Sequence, residues 1–275
     1  MSFTTADVVK LRKATGAGMM DCKNALTESD GNFDRAIEII RERGKLVASK
    51  RADREATEGA VLAKVTEDKT FGAIVVLNCE TDFVAKNEKF IAFTTQILDA
   101  ALANQPATLE ELKGIVIDGR PIGDQVTEQI GIIGEKLDLS FYGRIKAETV
   151  VPYTHPGNKL ATVVGFSKAG IENQLGRDVA MQVAAMNPVA VNRESIPEEI
   201  IHKELEIAKE KFRLEGKPEA MLDKIAQGAV QKWFSESALL EQAFIKDSKI
   251  TVKQYIAQND KSLEVTGFER YALDA

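Results

Sequence analysis

A chain of 275 residues is too long for one small core and long enough for roughly two or three domains of ~100–150 residues. Its 36 basic and 42 acidic residues give a net charge of −6, which argues against naked nucleic acid as the main partner. Cys22 and Cys79 lie far apart without a CxxC spacing, and no apolar run reaches membrane-spanning length. Neither a disulfide framework nor a zinc site is suggested, and a cytoplasmic protein with no membrane and no direct nucleic-acid partner is expected.

Residues 5–44 read as three short helices. Thr5 is placed to cap the first, whose Val8, Leu11 and Ala14 recur at three-residue spacing before Gly16-Ala17-Gly18 breaks it. The second carries Met19, Met20, Cys22, Ala25 and Leu26, and Asp30-Gly31-Asn32 makes the next turn. The third is expected from Phe33 to Arg43, with Phe33, Ala36, Ile37 and Ile40 on one face and Gly44 placed for the left-handed residue after a helix. Some forty residues in three helices suit a recognition module better than a catalytic domain. The basic stretch KLVASKRADREATEG from Lys45 reads as a linker, helical at its start.

From Gly59 the period becomes extended. AVLAKV (60–65) and FGAIVVL (71–77), separated by TEDKT, predict a β-hairpin. NCETDFVAKN (78–87) follows, and then a helix from about Asn87 with Phe90, Phe93, Ile97, Leu98 and Ala101 at helical spacing. The same order returns as FYGRIKAETVVPYTH (141–155), a Pro-Gly-Asn turn, LATVVGF (160–166) and a helix through Val179, Met181, Val183 and Met186 that stops at Pro188. Two such strand–turn–strand–helix units suggest a duplicated α+β core. Between them, LEELKG and VTEQIGIIGEKL read as helices. After Pro197, Ile201, Leu205, Ala208 and Phe212 form one apolar seam, EGKP (215–218) turns the chain, and Leu222, Ile225, Ala229 and Trp233 are expected on the return. KSLEVTGFERYALDA at the end reads as a strand or extended tail.

Candidate chemistry is sparse. The two histidines, His155 and His202, have no catalytic partner in any motif; His202 reads as a solvated helix residue and His155 as an exposed turn residue. Thr15-Gly16-Ala17-Gly18 lies between helices with no preceding strand, so it is not a phosphate loop. Glu80 and Asp82 could hold magnesium only with further acidic ligands that the sequence does not supply. No catalytic residue, resident metal or cofactor is therefore expected. The plain account of NCETDFV is that Thr81 caps a helix, Asp82 favours the positive end of its dipole, and Phe83 or Val84 packs beneath.

LRKATGAGMMDCKNAL (11–26) and NCETDFVAKN (78–87), in this order and this far apart, resemble the two signature segments of the bacterial elongation factor Ts family. The resemblance extends along essentially the whole chain. It implies an α+β multidomain fold with a three-helix N-terminal domain of ubiquitin-associated type and linker (1–53), a first core subdomain (54–139), and a second (140–275) that carries an inserted antiparallel coiled-coil hairpin (about 198–237) and a short C-terminal tail. It implies a guanine-nucleotide exchange factor rather than an enzyme, whose partner is elongation factor Tu in its GDP-bound and nucleotide-free forms; a dimer of heterodimers is one allowed stoichiometry. In this family the TDFV turn (Thr81, Asp82, Phe83, Val84) dislodges magnesium from the partner, while Leu11, Arg12, Met19, Met20, Lys23 and His155 contact it. The sequence departs from the family at HPGNKLATV (155–163), where HPGGRIGV is common, and at Val76, where glutamate is frequent. A rival reading is a binding scaffold without exchange activity, which would not need TDFV.

Overall fold

The computed structural model describes residues 3–273 and is of mixed α and β structure. Helices α1 (Thr5–Thr15), α2 (Met19–Glu28) and α3 (Phe33–Lys50) enclose a small core of Val8, Leu11, Ala17, Cys22, Ala25, Leu26, Ala36 and Ile39. Thr4, rather than Thr5, caps α1: its hydroxyl accepts from Asp7 N–H while the Asp7 carboxylate accepts from Thr4 N–H at 2.7 Å. Gly16, in the left-handed region at φ 74°, closes that helix.

The third helix does not stop at Gly44. It runs seven residues past Arg43 to Lys50, so the stretch expected as a linker is helical through its first part. The reason is tertiary. Gly44 meets Gly131 of a later helix so closely that a Cβ built on Gly131 would lie 2.3 Å from the Gly44 Cα. Here glycine permits a backbone contact, not a helix end. Arg41 and Arg120 both pair with Glu128 beside that crossing.

Next come β1 (Glu58–Val65), β2 (Phe71–Cys79), α4 (Asp82–Ala85), α5 (Glu88–Asn104), α6 (Leu109–Gly114), β3 (Val116–Ile117), β4 (Arg120–Pro121), α7 (Ile122–Ile133, the helix of Gly131) and β5 (Leu137–Lys146). A second series follows: β6 (Thr149–Thr154), β7 (Leu160–Phe166), α8 (Asn173–Met186), α9 (Glu198–Leu214), α10 (Glu219–Ser237), β8 (Ala243–Phe244), β9 (Asp247–Thr251), α11 (Val252–Asn259) and β10 (Val265–Ala272). Two three-stranded antiparallel sheets result, ordered β1-β2-β5 and β10-β7-β6.

The expected single strand over 141–155 is two strands in different sheets. β5 pairs with β2 from Cys79↔Leu137 to Phe71↔Lys146 and completes the first sheet, whereas β6 opens the second. The boundary placed between residues 139 and 140 thus falls inside β5. Side-chain alternation continues across both strands and carries no record of which neighbour accepts their hydrogen bonds. Each unit is therefore a hairpin, a helix, a helical insertion and a closing strand.

The sheets meet face to face. Val61, Ile74 and Val76 pack on Val150, Ala161 and Val163, while Phe71, Ala73, Val75 and Leu77 point the other way into a core with Phe90, Ile97, Leu98 and Val126. β2 is buried at every position because both faces are covered. The second unit's helix side holds Val164, Phe166, Leu175, Val179, Val252 and Ile256.

Helices α9 and α10 form a helical hairpin. The α9 seam is as expected, with Ile201, Leu205, Ala208 and Phe212 half-buried. On α10 the buried line is Leu222, Ala226, Val230 and Phe234; Ile225, Ala229 and Trp233 flank it half-buried. Val230 and Phe234 are drawn inward at the base, where they join Ala190, Ile196 and Ala238 in a small cluster. Among the described residues no helix is long and apolar enough to cross a membrane.

Candidate functional site: the turn after the central strand of the first sheet

The ladder between β2 and β5 ends at Cys79↔Leu137. The Cys79 thiol is buried, donates to Thr81 C=O and is pushed up to about 12, chiefly by desolvation. Thr81, extended at φ −124° and ψ 152°, is the N-cap of the single-turn α4, its hydroxyl accepting from Val84 N–H at 3.4 Å. Asn87 then caps α5 by accepting from Lys89 N–H at 2.9 Å.

Four residues cannot all face inward on one helical turn. Ala85 is buried and Val84 half-buried against the first core, which turns Phe83 to solvent. At 83% exposure Phe83 is the most exposed large hydrophobic side chain among the described residues. Of the alternatives that sequence left open, Val84 packs beneath and Phe83 does not.

Asp82 pairs with Lys86 one turn on at 2.6 Å, and that hydrogen bond holds its carboxyl below the ordinary range. Glu80 is used differently. It accepts from Lys136 N–H at 2.6 Å and pairs with Arg51 at 2.8 Å and Arg54 at 3.4 Å. Its carboxyl is held low first by the Lys136 N–H and then by Arg51. The two carboxylates thus serve separate partners. Among the described residues no group of three or more His, Cys, Asp or Glu side chains is arranged to hold a metal ion.

Sequence reasoning missed Glu135. Its carboxylate accepts from Thr81 N–H at 3.1 Å and from the Thr81 hydroxyl at 2.7 Å. It missed Arg51, Arg54 and Lys136 as well; the Lys136 ammonium donates to the carbonyls of Ala52 and Arg54, both at 2.7 Å. No motif marks these residues. The one available signal was the basic character of residues 45–54.

The expected N-terminal contact residues separate by burial. Leu11 is fully buried in the three-helix core and cannot touch a partner, because it lies on the inward face of α1. Met19 packs half-buried on the same core, while Met20 is 63% exposed. Arg12 and Lys23 are exposed.

His155 is exposed in the turn between β6 and β7, with its Nδ1 2.8 Å from the Tyr153 hydroxyl. Asn158 sits in the left-handed region at φ 57° that asparagine tolerates. Its carbonyl accepts from Val61 N–H at 2.7 Å, which ties the His155 turn to β1. His202 is exposed on α9, as expected.

The family model described as "Elongation factor TS" matches residues 80–275. "Elongation factor Ts" of Porphyromonas gingivalis is 54% identical over 276 aligned residues, covering 100% of both chains. The protein of the same name from Christiangramia forsetii is 50% identical over 98% of each chain, and that of Bacteroides fragilis 41% identical over 100% of each. The family model starts at the exposed turn and takes in the second sheet and the helical hairpin, and the relatives align over essentially the whole chain, so the chain belongs to the elongation factor Ts family of protein biosynthesis.

Proposed function

We propose that this chain is a guanine-nucleotide exchange factor acting on elongation factor Tu. The single observation that carries the reading is Phe83: an aromatic ring 83% exposed on a turn whose other side is fastened into the core. Such a side chain is stabilised only when a partner covers it, and this one belongs to a family in which that turn meets the partner's magnesium site. Asp82 and Phe83, on a turn shaped by Thr81 and Val84, would disturb the groups that hold the ion. GDP would then lose the cation that neutralises its β-phosphate and would leave. No covalent step is required of the factor. Linkage suffices, because a factor that weakens nucleotide binding is itself weakened in equal ratio by nucleotide, and incoming GTP releases it.

The three-helix region, read as ubiquitin-associated-like, would dock through Arg12, Met20 and Lys23, with Leu11 and Met19 supporting that face from within. Met20 suits the role because a thioether conforms to an irregular surface. His155 would touch the partner from the second unit. A division into residues 1–53, a first core unit that keeps all of β5 to Lys146 and a second unit from β6 onward, the assignment of about 198–237 as an antiparallel coiled coil, a cytoplasmic location and partner binding without direct nucleic-acid or membrane contact belong to the same proposal.

The test is release of labelled GDP from elongation factor Tu. The intact chain is expected to accelerate it, and Asp82→Ala with Phe83→Ala to slow it by at least about tenfold, equivalent to ~1.4 kcal/mol of lost coupling, with little change in Tm. A folded double variant with full exchange activity overturns the reading. Binding of the partner by the intact chain without acceleration would favour the scaffold instead.

A further inference from the structure

Beyond Cys79↔Leu137 the backbone ladder between β2 and β5 stops, yet the N–H groups of Lys136 and Thr81 are both satisfied. Each is taken by the acidic side chain of the opposite segment. Glu80 accepts from Lys136 N–H at 2.6 Å, and Glu135 accepts from Thr81 N–H at 3.1 Å. The two carboxylates bridge the segments at the two register positions that follow the ladder, Glu80 to Lys136 and Glu135 to Thr81, and clamp the base of the exposed turn.

The two carboxylates differ in reach. Glu80 is already neutralised by Arg51 and Arg54 and holds the connector after α3. Glu135 grips the turn itself. The Thr81 hydroxyl gives its proton to Glu135 at 2.7 Å, so the lone pair left to it points at Val84 N–H, 3.4 Å away. Glu135 therefore orients the cap of α4, and that cap decides how Phe83 leaves the surface. Loss of the carboxylate would free the hydroxyl to rotate and leave Thr81 N–H without its partner. The turn would still close, but Phe83 would sample more directions.

We infer that Glu135 is a positioning residue for Phe83: it sets the geometry of the turn without itself touching the partner. The inference rests on the proposed role of that turn. It predicts a loss of rate rather than of docking, since Arg12, Met20 and Lys23 lie on another part of the chain.

The experiment is a double-mutant cycle on GDP release from elongation factor Tu, using the full chain with Glu135→Ala, Phe83→Ala and both together. Glu135→Ala is expected to lower the maximal rate roughly tenfold, the loss that follows when charge-assisted hydrogen bonds no longer hold the turn, while changing the half-saturating concentration less than about twofold. Glu135→Gln keeps one acceptor oxygen and should lose only about threefold. Added to Phe83→Ala, Glu135→Ala should cost nothing more, which a merely structural role would not reproduce. Full rate in folded Glu135→Ala, or a loss that repeats undiminished in the Phe83→Ala background, overturns the inference. If Glu135→Ala is unfolded by circular dichroism, the Gln variant takes its place in the cycle under the same criteria. A slow Phe83→Ala beside a fast Glu135→Ala removes the positioning role alone; a Phe83→Ala variant at full rate removes the exchange role of the turn and the positioning role with it.

Discussion

After β2 and after β7 the chain makes the same move, from the central strand of a sheet to a helix that covers it, and the two turns are built in opposite ways. After β7, Ser167 N–H donates to Glu264 C=O at 3.0 Å and Glu264 N–H donates to the Ser167 hydroxyl at 2.9 Å. Lys168 pairs with Asp260 at 2.6 Å, and Ile171 turns inward onto the second core. After β2, two carboxylates complete the pairing and the aromatic side chain turns outward. The repeat itself does not require an exposed Phe83, since the equivalent turn buries its large apolar residue. Local stability does not explain that exposure, whereas the proposed contact with a partner would.

Four measurements would break or sharpen that contrast. The largest expected effect lies in the second unit. Asp178 of α8, only 3% exposed, accepts from Tyr255 at 2.9 Å and from Lys246 and Gln174 at 2.6 Å each. Burial raises its carboxyl, but the hydrogen bonds from Lys246, Tyr255 and Gln174 outweigh it and the net shift is downward. Asp178→Ala should cost about 2–3 kcal/mol in denaturant unfolding by stranding these donors, while the folded protein keeps the proposed exchange activity. A stability loss of a few tenths would show that this network does not hold the second unit.

Gly131→Ala comes next. The added methyl meets the Gly44 backbone and must force α3 from α7, at about 1–3 kcal/mol. Unchanged stability, together with unchanged proteolysis of residues 45–57, would mean the crossing is looser than its geometry.

The contrast between the turns is tested directly by one truncation in each. Ile171→Ala should destabilise by about 1–2 kcal/mol, because its side chain is half-buried on the core. Phe83→Ala should change stability by less than about 0.5 kcal/mol. Equal losses would make Phe83 a packing residue after all.

The smallest effect is on pH dependence. Glu80 titrates below its unfolded value, so the folded chain releases this proton at lower pH than the unfolded one. Its stabilisation is complete above the unfolded carboxyl value, about 4.3, and is lost as pH falls through the folded value. Glu80→Gln should therefore lose less Tm than the parent chain between about pH 6 and about pH 3. Parallel curves would remove Glu80 from the acid response.

Much of the candidate site was visible before any fold. Thr81, Asp82, Phe83 and Val84 stand in one contiguous segment whose capping chemistry is local, and Met20, Arg12 and Lys23 lie in a second. Leu11, expected at a partner surface, is instead fully buried, because a signature segment mixes exposed residues with residues that shape the surface beneath. Helical spacing could have separated them, since Leu11 shares the inward stripe with Val8. On α10 the apolar residues allowed two adjacent lines, and only packing against Ala190 and Ile196 chose between them.

By itself the sequence determined the three N-terminal helices, the first β-hairpin, the helical hairpin and the repeat of strand, turn, strand and helix, because these follow from apolar period, caps and turn residues within a few positions of each other. Tertiary structure alone decided that α3 continues through Gly44, that β5 closes the first sheet, and that Glu135 reaches Thr81. Each is a contact between residues more than fifty positions apart. A glycine that ends a helix and one that lets two helices touch read alike along the chain. So do a strand's two prospective neighbours, and a solvated glutamate and one that completes a ladder. What separates them is the identity of the group on the other side, which only the folded chain supplies.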